Sequence, residues 1–172
     1  FNATLKNIDL AQLTHNDSLY SDLNLEISAQ GKGLNLDSLK LELELESNES
    51  MIFGWPIEDF DSKIIYNKGY YRLERLGFVT PFLNAQITGE GDITSNNNLG
   101  FHLKTLDLEK LNPALRPGKL MFKGEIVGAL TGTADSLNIS SVINIEHFKM
   151  DTIIIEKILA DASLKKRDSI YS

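Results

Sequence analysis

The sequence predicts an all-β fold, rich in antiparallel strands, with little or no helix. Three observations carry that prediction. The stretch Asp37–Glu46 alternates strictly: Leu39, Leu41, Leu43 and Leu45 take every second position, and Lys40, Glu42, Glu44 and Glu46 fill the gaps. Successive side chains of a strand point to opposite faces, so this spacing sorts the leucines onto one side and the charge onto the other. A helix would scatter the same leucines around its circumference, so the pattern overrides the helical propensity of Leu, Glu and Lys. Looser versions of this alternation fill most other segments. Turn chemistry punctuates them: Asp-Ser plus an apolar residue begins at Asp17, Asp37, Asp135 and Asp168, and glycine pairs recur at Gly31/Gly33, Gly89/Gly91 and Gly124/Gly128. The copies are unevenly spaced, which disfavours a tight β-helix and leaves a meander of antiparallel strands. Strand should cover over half of the chain and helix under about a tenth.

The elements follow in order. Phe1–Leu13 alternates loosely through Leu5, Ile8, Leu10 and Leu13, with a phase slip that reads as a bulge or a turn. After turn residues His15–Ser18, Leu19–Ala29 is a strand with Leu19, Leu23, Leu25, Ile27 and Ala29 on one face. Gly31-Lys-Gly33 reads as the turn before the leucine strand, which ends at Ser47–Ser50. Met51–Phe60 contains Pro56, which cannot donate to a ladder, so it reads as an edge, bend or loop. Lys63–Tyr66 and Tyr70–Leu76 form a hairpin across Asn67-Lys-Gly69. Phe78–Thr88 continues to a turn at Gly89–Gly91; Ser95–Asn98 turns again and leads to a strand through Phe101 and Leu103. Leu106–Leu115 fits a short helix that stops before Pro117. Leu120–Val127, Leu137–Ile145, Met150–Ile155 and Ile158–Leu164 are four further strands. The last two also fit helical spacing with Asp151 as N-cap, but three consecutive β-branched isoleucines favour strands.

Composition narrows the function. The chain has 172 residues, enough for one domain, and a net charge of −7, which argues against a nucleic-acid partner. The basic run Lys165-Lys-Arg167 reads as a solvated turn. Cysteine is absent, which removes disulfides and thiol chemistry. His15, His102 and His147 lack metal-ligand spacing and read as surface or edge residues, His102 on a wet face between Phe101 and Leu103. Glu42, Glu44 and Glu46 read as a solvated strand face. No nucleophile elbow, phosphate loop or dinucleotide fingerprint is present. The expectation is a non-enzyme without cofactor or metal.

The run Gly31-Lys-Gly33, Leu34-Asn-Leu-Asp-Ser-Leu39 with its alternating leucines, and the stretch Asn138–Leu164, resemble the repetitive β region of the AsmA/TamB-like proteins of bacterial envelopes. The resemblance covers most of residues 17–172; Trp55-Pro56 and the stretch before Pro117 depart from it. It implies an elongated sheet curled into an open trough with an apolar inner face. The trough shields phospholipid acyl chains crossing the periplasm, with an inner-membrane anchor outside this segment. For TamB-like members it also implies outer-membrane biogenesis with an Omp85-type barrel as partner. Residues 1–172 are then one internal slice of a longer groove. The expected lipid-binding lining is Leu23, Leu25, Ile27, Leu39, Leu41, Leu43, Leu45, Phe101, Leu103, Ile143 and Ile145. Two other readings compete: a closed barrel or calyx holding one small hydrophobic ligand, and a structural β-sandwich module whose leucines are simply core.

Overall fold

The computed structural model describes the chain apart from residues 17–19, 34, 36, 48, 53, 93–94, 106–119, 134–135, 151 and 167–172, and apart from the side chains of Leu120 and Met150. The Asp17 and Asp168 turn motifs and the helix expected at 106–115 lie outside the described residues. Of the described residues 78% are in strands and 4% in helix, so the all-β expectation holds. The strands are β1 (Asn2–Ile8), β2 (Ser21–Lys32), β3 (Lys40–Ser47), β4 (Ser50–Ile52), β5 (Trp55–Ile57), β6 (Asp59–Asn67), β7 (Tyr70–Val79), β8 (Leu83–Asp92), β9 (Asn97–Thr105), β10 (Leu120–Gly132), β11 (Leu137–Met150), β12 (Ile153–Ile155) and β13 (Ile158–Lys165). One helical turn, α1 (Leu10–Thr14), follows β1.

Every strand pairing is antiparallel, and one sheet takes in all thirteen strands. From β6 to β11 the chain meanders, each strand beside its predecessor; β12 and β13 then both pair with β11. At the other side β6 lies on β3, β3 on β2 and β2 on β1. The sheet is not closed into a barrel. That overturns the calyx: a calyx needs its first and last strands paired, and here β1 and β13 stand on opposite edges.

Of the edge, bend or loop expected for Met51–Phe60, the edge holds: β5, which carries Pro56, is the last strand on its side of the sheet. β3–β4 and β5–β6 are two arms of one long hairpin with a common register on both sides of an interruption, because Ser47 faces Phe60 and Ser50 faces Ile57. Gly54 at φ 77 lies in its tip, between Ile52 and Trp55. Pro56 fits because the strand alternates: Glu58 N–H donates to Val79 O at 2.8 Å, so position 56 also faces away from β4 and loses no ladder bond. Glu49 at φ 56 marks the interruption, where β4 shifts by one residue against β2 relative to β3.

Other boundaries move for local reasons. The phase slip in Phe1–Leu13 is both a bulge, with Asn7 at φ 54, and a helical turn. Asp9 caps that turn by accepting the Ala11 N–H at 2.9 Å, and His15 closes it at φ 52. Gly31, Gly89, Gly91, Gly124 and Gly128 sit inside strands rather than in turns. Phe78–Thr88 breaks at Thr80–Phe82 into the β7–β8 hairpin. The β6–β7 hairpin turns at Lys68 (φ 52) and Gly69 (φ 92), the two positive φ values of a type I′ turn. Ile153–Ile155 and Ile158–Lys165 are strands, as their β-branched residues favour, and Lys165 ends β13 rather than forming a turn.

Among the described residues full burial is confined to a few positions. Ile57, Tyr66, Leu73 and Phe82 are the buried apolar residues, joined by Ser21, Ser47, Ser50, Ser62 and Thr80. Ile57, Phe82, Ser21, Ser47, Ser50 and Thr80 lie near the end of the sheet that holds the long hairpin's tip, whereas Ser62 lies mid-strand in β6, opposite Leu45. There Trp55 packs edge-on against Phe82, ring centroids 4.9 Å apart at 82°.

Candidate functional site

Residues directly opposite one another in a sheet share a face, so the registers fix what each face presents. One row can be followed across ten neighbouring chain segments. Phe1 faces Ala29, since their backbones exchange hydrogen bonds of 2.8 and 2.9 Å. Ala29 faces Leu43, Leu43 faces Ile64, and Ile64 faces Leu73. Leu73 faces Gly89, Gly89 faces Leu99, and Leu99 faces Leu130. Leu130 faces Ile139, which faces Leu164 in β13. Every member is apolar or glycine. At about 4.8 Å between strands the row is roughly 40 Å long. The next row on this face runs Ala3, Ile27, Leu45, Ser62, Leu76, Ile87, Phe101, Gly128, Ser141, Ala162. A third holds Phe60, Phe78, Ala85, Leu103, Ile126, Ile143 and Ala160.

The expected lining can be placed on this map. Leu25, Ile27, Leu41, Leu43, Leu45, Phe101, Leu103, Ile143 and Ile145 share this one face, and Leu23 joins it by the alternation within β2. Leu39 does not enter the ladder: it precedes β3, where its carbonyl accepts the Lys68 N–H at 2.9 Å. These side chains are half-buried, none fully. Sequence reading missed Ile64, Leu73, Leu76, Ile87, Leu99, Ile126, Leu130 and Ile139. Their alternation is visible in the sequence, but bulges in β7 and β11 break its phase.

Polar groups bound this face at both strand ends. At the hairpin-tip end, Ser47 and Ser50 hydroxyls meet at 2.5 Å, and Ser50 Oγ accepts the Asn24 N–H at 2.8 Å. Ser21 Oγ accepts the Leu10 N–H at 2.8 Å, Thr80 Oγ1 the Leu83 N–H at 2.9 Å, and Thr105 Oγ1 the Gly124 N–H at 2.7 Å. These short hydroxyls satisfy backbone groups that turns and bulges take out of the ladder. At the far end the Tyr71 hydroxyl donates to Asn97 Oδ1 at 2.5 Å, and Asn97 Nδ2 donates to Gly132 O at 3.1 Å. Burial pushes the Tyr71 phenol above its ordinary pKa.

The opposite face is charged. The row flanking Leu43 reads Gln30, Glu42, Ile65, Arg72, Glu90, Asn98, Thr131, Asn138, Lys165. Lys63 Nζ sits 2.7 Å from Glu42 and 2.8 Å from Glu44. The hydrogen bond from Lys63 holds the Glu44 carboxyl below its ordinary range, and the bonds to Glu42 and Glu44 raise the Lys63 ammonium. Arg75 pairs with Asp61, and His102 Nε2 lies 3.0 Å from Glu125. His102 is thus on the polar face, as its position between Phe101 and Leu103 predicts. His15 and His147 are exposed elsewhere. Among the described residues no helix is long and apolar enough to cross a membrane.

A scan against protein-family models, a search of curated proteins and a search of solved structures each found no match to this chain.

Proposed function

We propose that this sheet is a segment of a lipid conduit of the AsmA/TamB-like kind, curled so that its apolar rows line the inside of an open trough. Phospholipid acyl chains lie on that face while they cross the periplasm. The observation that carries the reading is the row from Phe1 to Leu164, apolar or glycine in every segment. Acyl chains suit such a surface because they ask for no hydrogen bond, only dispersion contact and exclusion of water. The hydroxyls at one strand end and Tyr71–Asn97 at the other bound the strip lengthwise, so the open path runs across the strands. The chain carries out no catalysis in this reading. The full-length protein is anchored in the inner membrane, and an Omp85-type barrel is its candidate partner.

The test is direct. Protein purified from bacterial envelope without detergent is extracted with organic solvent, and bound lipid is identified by mass spectrometry. A photo-crosslinking residue placed at Leu43 or Ile126 should capture lipid, and one at Glu44 or Glu125 should not. Absence of co-purified lipid together with equal capture from both faces would make the apolar rows ordinary core covered by protein, the structural-module reading.

A further inference from the structure

Five tripeptides, beginning at Asp17, Asp37, Asp135, Asp151 and Asp168, keep one order: aspartate, then serine or threonine, then leucine or isoleucine. A turn can be built from Asp, Asn, Ser, Gly or Pro, and it needs no aliphatic third residue. Three of the hydroxyls are described. Ser38, Ser136 and Thr152 are exposed and sit in the β2–β3, β10–β11 and β11–β12 hairpin turns. Two of these turns show what holds them. The Ser38 N–H donates to Asn35 Oδ1 at 3.0 Å, and the Ser136 N–H donates to Thr133 Oγ1 at 3.0 Å. In both, the supporting side chain stands three residues before the serine and is not the aspartate. Asp37 is exposed, and its carboxylate makes no hydrogen bond or ion pair among the described residues. Turn chemistry therefore leaves the aspartate of this copy without a task. Asp61-Ser62-Lys63 is the instructive departure: it lacks the aliphatic residue, lies inside β6, and its serine is buried.

We propose that Ser38, Ser136 and Thr152 carry O-linked sugars, attached by an envelope transferase that reads the aspartate and the aliphatic residue on either side of the hydroxyl. The hydroxyl oxygen attacks the anomeric carbon of a sugar carried on a polyprenyl pyrophosphate. The bond from that carbon to the pyrophosphate oxygen breaks, the pyrophosphate leaves with the electron pair, and the hydroxyl proton passes to a base of the transferase. A sugar suits these positions because it is bulky and solubilising and needs a surface where nothing packs. A phosphate suits them less, because it sets a second negative group beside an aspartate. Sugars on the turns stand at the strand ends, clear of the apolar rows, and add solubility to a sheet with one apolar face. The inference rests on the periplasmic location proposed above and not on what the apolar face binds.

The test uses the full-length protein purified from the envelope of its own bacterium, with its peptides read by mass spectrometry. Peptides holding Ser38, Ser136 and Thr152 should carry the added mass of one or more sugar residues, and the peptide holding Ser62 should be bare. Asp37→Asn keeps the turn, since Asn35 holds it, and should lose the sugar at Ser38 while Ser136 and Thr152 keep theirs. Thermal melts of the Asp37→Asn chain should match those of the unaltered chain. Fractionation of the same cells separates two kinds of failure. Periplasmic protein with all three hydroxyls bare overturns the sugars and leaves the location standing; bare protein in the cytosol overturns both. The mass of phosphate in place of sugar, sugar on Ser62, or an Asp37→Asn chain still modified at Ser38 would each overturn the proposal.

Discussion

A strand residue's neighbours are often fixed by what the facing strand needs. Gly128 lies opposite Phe101 and Ser141, and a Cβ built on it would collide with the Phe101 ring and the Ser140 carbonyl. The ring lies over the glycine, so the position is a hole filled by its neighbour. Gly128→Val should destabilise by about 1–3 kcal/mol through overpacking. Gly54 makes the contrast: its φ is 77 but a Cβ there meets nothing within 4 Å, so Gly54→Ala should cost only about 1–2 kcal/mol from the left-handed backbone. Thermal melts separate the two if the Gly128 variant also loses near-ultraviolet dichroism while the Gly54 variant keeps it. Charge on the polar face gives a pH effect of known sign. Lys63 holds Glu44 below its ordinary value of 4.5, so the pair's contribution is present above that value and fades as pH falls through the lowered one. Both groups are partly open to solvent, which screens the pair, so the effect is small. Lys63→Met should shrink the loss of melting temperature between neutral and strongly acid solution. An unchanged acid limb would show that the clamp does not persist in solution.

At the scale of elements, strand identity was legible because period-two alternation states it directly: Leu41, Leu43 and Leu45 share a face in the ladder as they do in the pattern. The turn at Asn67-Lys-Gly69 was legible because I′ geometry demands positive φ. Glycines inside strands were not, since glycine marks both a turn and a gap beneath a large side chain. α1 was hidden because one helical turn has no period of its own. The apolar lining was half legible. Sequence sorts each strand's faces, but the union of faces depends on registers, and those turn on bulges that leave no signature. Met51–Phe60 shows the limit most clearly, because Pro56 left an edge strand, a bend and a loop all open, and only the strand order selects the edge. The tip it forms should matter to stability. Trp55, the chain's single tryptophan, packs on Phe82 beside buried Ile57. Trp55→Ala should remove about 2–4 kcal/mol, at the lower end because the ring is half-buried. In hydrogen exchange the amides of β6 and β7 should outlast those of β13, which is exposed along almost all its length. Equal protection of the two regions would mean that the hairpin and the edge unfold as one unit.

For the whole molecule, the decisive quantity is surface. The chain exposes 11752 Å², whereas a globular monomer of its mass exposes about 8,400 Å². Of the described residues on the apolar face, Tyr66 and Leu73 are buried while most of the others, Leu43 among them, stay half-buried. The excess area decides what a charge on that face would do. In a closed core, Leu43→Arg would bury a cation and cost several kcal/mol. Here Leu43 is half-buried, flanked in its row by Ala29 and Ile64, and a long arginine can run its stem along that surface and place the guanidinium in water. Leu43→Arg should therefore leave the fold intact, with a stability loss of about 1 kcal/mol or less. It should nevertheless block acyl chains, because it sets a hydrated charge in the longest apolar row, between Ala29 and Ile64. Glu44→Arg, one residue along on the charged face, should leave lipid capture untouched while loosening the Lys63 clamp. The comparison needs thermal melts of both variants and lipid crosslinking from Ile126, several strands away. Loss of capture in the folded Leu43 variant alone supports passage along the row. Unfolding of that variant, with capture never seen in the unaltered chain, would mean that another layer of protein covers this face and that the conduit reading is wrong.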